Sequence, residues 1–138
     1  MIGLQDFEGR WRLDRRIENA QGADARFEGL ATFVPVPGGL DLHEAGTMVL
    51  DGQGRFHAER RYLWRAAGTR IAVQFDDGRA FHQFDPGVTA PEAHHLCTPD
   101  DYRVAYDFAD WPRWRAVWRV IGPRKDYVMR SLYFRDAA

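Results

Sequence analysis

The feature that most constrains this chain is a two-residue alternation that stops at turn residues and then starts again. Trp11, Leu13, Arg15 and Ile17 fall on one face of an extended segment, and Arg12, Asp14, Arg16 and Glu18 fall on the other. That is the period of a half-buried strand, because successive side chains of a strand point to opposite sides. The pattern recurs after Gly22 with Phe27, Gly29, Ala31 and Phe33, and after Gly38-Gly39 with Leu42, Glu44, Gly46 and Met48. It returns with Phe56, Ala58, Arg60, Tyr62 and Trp64, then over Thr69–Phe75 and Arg79–Phe84. Asp51-Gly52 and Asp77-Gly78 are hairpin signals, since Asp-Gly accepts the positive φ that tight turns require. Further strands are expected at His94–Cys97, Tyr102–Phe108, Trp114–Ile121 and Tyr127–Arg135. One short helical turn fits Leu4–Gly9, and elsewhere no helical period is sustained.

About ten short strands joined by hairpin-length turns imply an all-β fold, a sandwich or a barrel. Consecutive hairpins favour a meander, in which each strand pairs with the next. A meander leaves two open edges unless it closes on itself. The expectation is therefore a single antiparallel meander β-barrel with minimal helix, one domain over residues 1–138. The stretch Gln74–Phe108 is read as the mouth and one wall of that barrel. It carries His82, His94, His95, Cys97 and a Pro/Gly loop.

Composition narrows the function. The net charge is −1, so no basic footprint for nucleic acid or an anionic membrane surface is present. A single cysteine fits a reducing compartment. The first residues, MIGLQDFEGRWRL, lack the apolar run of a signal peptide, and a cytoplasmic location is expected. The partners expected are a small hydrophobic or anionic ligand, with no nucleic acid and no membrane, and a homodimer is left open.

Gly9-Arg10-Trp11 at the head of the first strand resembles the G-x-W signature of calycin barrels, the lipocalins and fatty-acid-binding proteins. The resemblance implies that Trp11 closes one barrel end under an arginine of the last strand, Arg135 or Arg130. The chain as a whole resembles an uncharacterised bacterial family of single-domain lipocalin-like proteins, through GRWRLDRRI, DDGRAFHQFDP, HLCTPDDYRVAYDF and GPRKDYVMRSLYFR. That family implies a fold and no reaction. Nitrobindin-like haem barrels carry a late histidine. Here no histidine follows His95, so haem is a lesser alternative, with His82, His95 or Cys97 as substitute ligands.

Small barrels with aromatic inner faces enclose apolar cavities. A pocket lined by Phe27, Phe33, Tyr62, Trp64, Phe81, Tyr106, Trp114 and Trp118 is expected. Arg15, Glu44 and Arg60 share those faces, and a buried charge must be paired or meet a ligand of opposite sign. With His82 and His95 they complete the candidate ligand-binding set for a hydrophobic, carboxylate-bearing molecule. His95 and Cys97 share a strand face while His94 points away, which is too few ligands for zinc, so no metal is expected. Ser131 lies in no nucleophile elbow. An isomerase, cyclase or decarboxylase using Tyr, His, Arg and Asp groups, with His82, His95, Tyr102 and Asp107 converging, is the alternative function. No complete catalytic set can be assembled, so binding without a cofactor is preferred and no catalytic residue is assigned.

Overall fold

The computed structural model describes residues 1–136. After a single 3-10 turn at Leu4–Phe7 come β1 (Gly9–Asn19), β2 (Ala25–Val36), β3 (Gly39–Leu50), β4 (Gly54–Ala67) and β5 (Arg70–Phe75). The second half holds β6 (Ala80–Phe84), β7 (Glu92–Cys97), β8 (Asp100–Asp107), β9 (Trp114–Gly122) and β10 (Lys125–Arg135). These form one 10-stranded antiparallel sheet in the order β6-β5-β4-β3-β2-β1-β10-β9-β8-β7. Each strand pairs with its chain neighbour except β6 with β7, and β1 pairs with β10. The expected all-β meander is what the chain adopts, as a nearly closed barrel.

Closure is completed by side chains. β6 and β7 face each other without a hydrogen-bonded ladder. Phe81 of β6 stands edge-on to His95 of β7 at 5.6 Å between ring centroids. His82 of β6 reaches Tyr106 of β8, with Nε2 and Oη 2.7 Å apart.

The inward positions are those that alternation assigns: Trp11, Leu13 and Arg15 on β1, Phe27, Ala31 and Phe33 on β2, Leu40, Leu42 and Glu44 on β3. Strict alternation fails at one place. Val73 pairs with His82 and Gln74 with Ala80, so Phe81 is an inserted residue on β6. A bulge of this kind lets two consecutive side chains face the same way. Phe81 and His82 are both buried as a result.

One barrel end is sealed. Phe7 of the 3-10 turn packs against Phe33, Trp64, Phe108, Trp111 and Trp114 at 5.0–6.0 Å between centroids. Trp11 donates its indole N–H to the Phe7 carbonyl at 2.8 Å. The Arg135 guanidinium lies 3.8 Å from the Trp11 ring and donates to the carbonyls of Asp6 and Glu8. Arg135 therefore covers the tryptophan, while Arg130 pairs with Glu18 on the outer surface.

The interior corrects the expectation of a ligand-sized cavity deep in the barrel. Among the pocket residues expected from sequence, Phe33, Trp64, Tyr106 and Trp114 pack on one another or on Phe7. What remains inside is a void of about 20 Å³ bounded by Leu42, Glu44, Tyr62, Trp64, Val73, His82, Tyr106, Trp114, Ala116, Trp118 and Tyr133. That is room for about one water. Aromatic rings crowding a narrow barrel fill it to the density of a core.

Candidate ligand-binding site

The middle of the barrel is a closed polar network. Arg15 Nη1 donates to Glu44 Oε1 at 3.0 Å, its Nε to the Ser131 hydroxyl at 2.7 Å, and its Nη2 to the Tyr133 hydroxyl at 3.2 Å. Tyr133 donates in turn to Glu44 Oε2 at 2.7 Å. All four residues are buried. Burial opposes the charge on Arg15, but Glu44 more than offsets this and holds the guanidinium pKa above its usual range. Burial, with the Glu44 charge second, pushes the phenol of Tyr133 well above its usual value. Both groups thus stay locked in one protonation state. Every strong donor and acceptor here has an internal partner, so Arg15 and Glu44 are spent on each other.

Arg60 sits differently. It lies on β4 directly opposite Glu44 in the β3–β4 register, and is half-buried. Its one side-chain hydrogen bond goes from Nη1 to the Tyr62 hydroxyl at 3.3 Å, and among the described residues it makes no ion pair. It opens onto a groove of about 470 Å³ bounded by Arg60, Arg61, Tyr62, Phe75, Asp76, Asp77 and Arg79.

The groove exists because β5 is short. β4 pairs with β5 only from Tyr62 to Ala67, and residues 54–61 have β3 on one side alone. Above the β5–β6 hairpin the barrel wall is missing. The floor of the opening is aromatic. Phe75 stacks on Phe81 at 4.7 Å, Phe81 meets Trp118 at 5.1 Å and Tyr102 at 5.5 Å, and Tyr62 meets Trp118 at 6.0 Å. His95 edges onto Phe75 at 6.1 Å.

The residues singled out from sequence therefore separate by depth. Arg60 and Tyr62 line the opening, and Phe81, His95 and Trp118 belong to the ring cluster packed behind Phe75 and Tyr62. Arg15, Glu44, His82 and Tyr106 lie below it, and Trp64 and Trp114 belong to the sealed end. His82 is 7% exposed, and burial, assisted by the nearby His95, depresses its pKa to about 3. It is a neutral ring bridging to Tyr106, and its Nδ1 has no partner. Phe75 and Tyr133 lie outside every candidate set read from the sequence, and Tyr102 enters only the acid–base alternative. The alternation Ile71, Val73, Phe75 and the run Met129, Ser131, Tyr133 were the signals for two of them.

The acid–base set weighed from sequence does not gather. Asp107 is exposed and its carboxylate accepts from the Ala109 backbone N–H. His82 bonds Tyr106 rather than His95 or Tyr102. His94 points outward and pairs with Asp101. Among the described residues no three His, Cys, Asp or Glu side chains cluster as a metal site.

Residues 7–135 match a family described as "Family of unknown function (DUF6314)". The chain belongs to this family. No curated protein matches it. Among solved structures, the DUF6314 chain is similar to the S-type phycobiliprotein lyase CPES of Guillardia theta. The TM-score is 0.63 at 10% identity, covering 98% of this chain and 91% of that one. At that identity the likeness speaks for a shared lipocalin-like fold.

Proposed function

We propose that this DUF6314 protein binds a small hydrophobic molecule bearing a carboxylate, held in the lateral opening between β4 and the β5–β6 hairpin. Arg60 takes the carboxylate, and Phe75, Phe81, Tyr62 and Trp118 take the apolar body. The observation that carries this reading is the contrast between the two inward arginines. Arg15 is satisfied by Glu44, Ser131 and Tyr133, while Arg60 has only the neutral Tyr62 hydroxyl. A half-buried guanidinium cannot shed its proton at neutral pH, so an anion is its natural complement. The groove, about 470 Å³ and open to solvent, leaves room for a small molecule lying along the Tyr62 and Phe75 rings. The calycin-type arrangement of Trp11 under Arg135 is consistent with this role. The phycobiliprotein lyase of similar fold suggests a bilin as one molecule to try.

Trp118 packs against Tyr62 of the groove at 6.0 Å between ring centroids, so tryptophan fluorescence reports occupancy. Titration with a fatty acid, an aromatic acid and a bilin, each beside its methyl ester, should quench with the acids and far less with the esters. Absence of any response across such a set would remove the reading.

A further inference from the structure

We infer that the free edge of β4 is a self-association surface, on which two copies of this chain pair residues 54–60 antiparallel about a two-fold axis at His57. The paired edge borders the opening proposed for the ligand, so the second copy would narrow that opening, and association is read separately from ligand binding. Residues 54–61 carry a ladder to β3 and no strand on the other side. An exposed edge of this length presents unpaired N–H and C=O groups, a ready template for a further strand. Residues 54–61 contain no proline and no lysine, and the β3–β4 register runs through them without a bulge, so the guard this edge carries is charge, from Arg55, Glu59, Arg60 and Arg61.

The side chains choose the partner and the register. With His57 opposite His57, Arg55 falls opposite Glu59 of the second copy, and the symmetry makes that contact twice. Phe56 falls opposite Ala58, again twice, and Gly54 opposite Arg60. Opposite charges on directly facing residues stabilise a pair of strands, and like charges oppose it. Arg55 is exposed and has no ion-pair partner among the described residues, and Glu59 is exposed beside it with two histidines, His43 and His57, at 2.9 and 3.6 Å. Phe56 is 48% exposed, one of the large apolar side chains left in water, and the pairing covers it.

The neighbouring two-fold registers are worse. Centring on Ala58 sets Arg55 against Arg61, two like charges. Centring on Phe56 leaves only residues 54–58 to pair, because beyond them the partner is the turn 51–53, where the chain is no longer extended. A closed two-fold pair uses each edge once and leaves none to propagate. The ends of the new strand pair abut the β5–β6 hairpin, so the second copy forms part of the wall that β5 is too short to supply.

Analytical ultracentrifugation tests this with three proteins. The wild-type chain should dimerise with a Kd on the order of 10 μM, since one strand pair is a small interface. Arg55→Glu should weaken the dimer at least about tenfold by setting Glu against Glu59 twice. Arg55→Glu/Glu59→Arg restores complementarity with the signs exchanged and should recover the dimer. Both positions are exposed, and matching circular dichroism spectra and melting temperatures confirm that the variants fold. Amide exchange should slow across residues 54–60 as the wild-type concentration rises. A wild-type chain that stays monomeric at several hundred micromolar overturns the inference. So does a dimer indifferent to Arg55→Glu, and so does a charge swap that restores nothing.

Discussion

Arg15 and Glu44 meet at 3.0 Å in the centre of the barrel, on β1 and on β3, and each is about as buried as the leucines beside it. The strand between them contributes Phe27 and Ala31 at the matching rows, so the pair bridges over β2. Ser131 and Tyr133 on β10 complete the shell, which ties the first, third and last strands into one network. The network joins the two halves of the meander across the β1–β10 junction.

Glu44→Gln should destabilise the fold by about 3–5 kcal/mol, because it leaves the Arg15 charge buried and uncompensated. Arg15→Met/Glu44→Leu removes both charges and should recover most of that loss. Urea unfolding measures both. A double variant as unstable as the single one would show that the hydrogen bonds to Ser131 and Tyr133, rather than the charge balance, hold this region.

Arg60→Met should separate the two inward arginines. A charged hydrogen bond contributes about 1.5–3 kcal/mol, so affinity for an acid should fall about tenfold or more while that for its neutral ester barely changes. Fluorescence titration reads both. Equal losses for acid and ester would make Arg60 a packing residue.

His82 predicts an acid sensitivity. Its folded pKa, about 3, lies below the unfolded value near 6.5. Between those values the unfolded chain binds a proton that the folded chain refuses, so stability is full above about pH 6.5 and falls as pH drops toward 3. The slope from this one group is about 1.4 kcal/mol per pH unit at most. His82→Gln should flatten the difference in unfolding free energy between pH 7 and pH 4.5, relative to wild type. Parallel pH profiles for the two proteins would mean that His82 accepts a proton in the folded state.

Gly29 and Gly46 face each other on β2 and β3, and a Cβ on Gly29 would lie 2.1 Å from the Ala45 carbonyl oxygen. Backbone rather than a movable side chain blocks it. Gly29→Ala should therefore cost more than about 1–3 kcal/mol, the usual effect of a core overpacking, and lower the melting temperature by several degrees. A scanning calorimetry trace matching wild type would show that the sheet can relax at this bend.

What the sequence by itself determined is the strand set and its inner face. Alternation of period two, broken by Asp-Gly, Gly-Gly and Pro signals, places all ten strands close to their observed bounds, because each is a local property of neighbouring residues. It also placed Arg15, Glu44, Trp64 and Trp118 on inward rows, and the G-x-W resemblance narrowed the capping arginine to Arg135 or Arg130. Tertiary structure decided the rest. Nothing local says that Phe81 is a bulge residue; the register against β5 sets that. Nothing local says how much space the rings leave, since volume depends on which rings meet from strands far apart in sequence. Nor does the pattern distinguish Arg15 from Arg60. Both alternate inward, but only the folded sheet brings Glu44, Ser131 and Tyr133 to the first, and only the short β5 leaves the second at an opening. Periodicity is written between neighbours along the chain; partnership and empty space arise between strands.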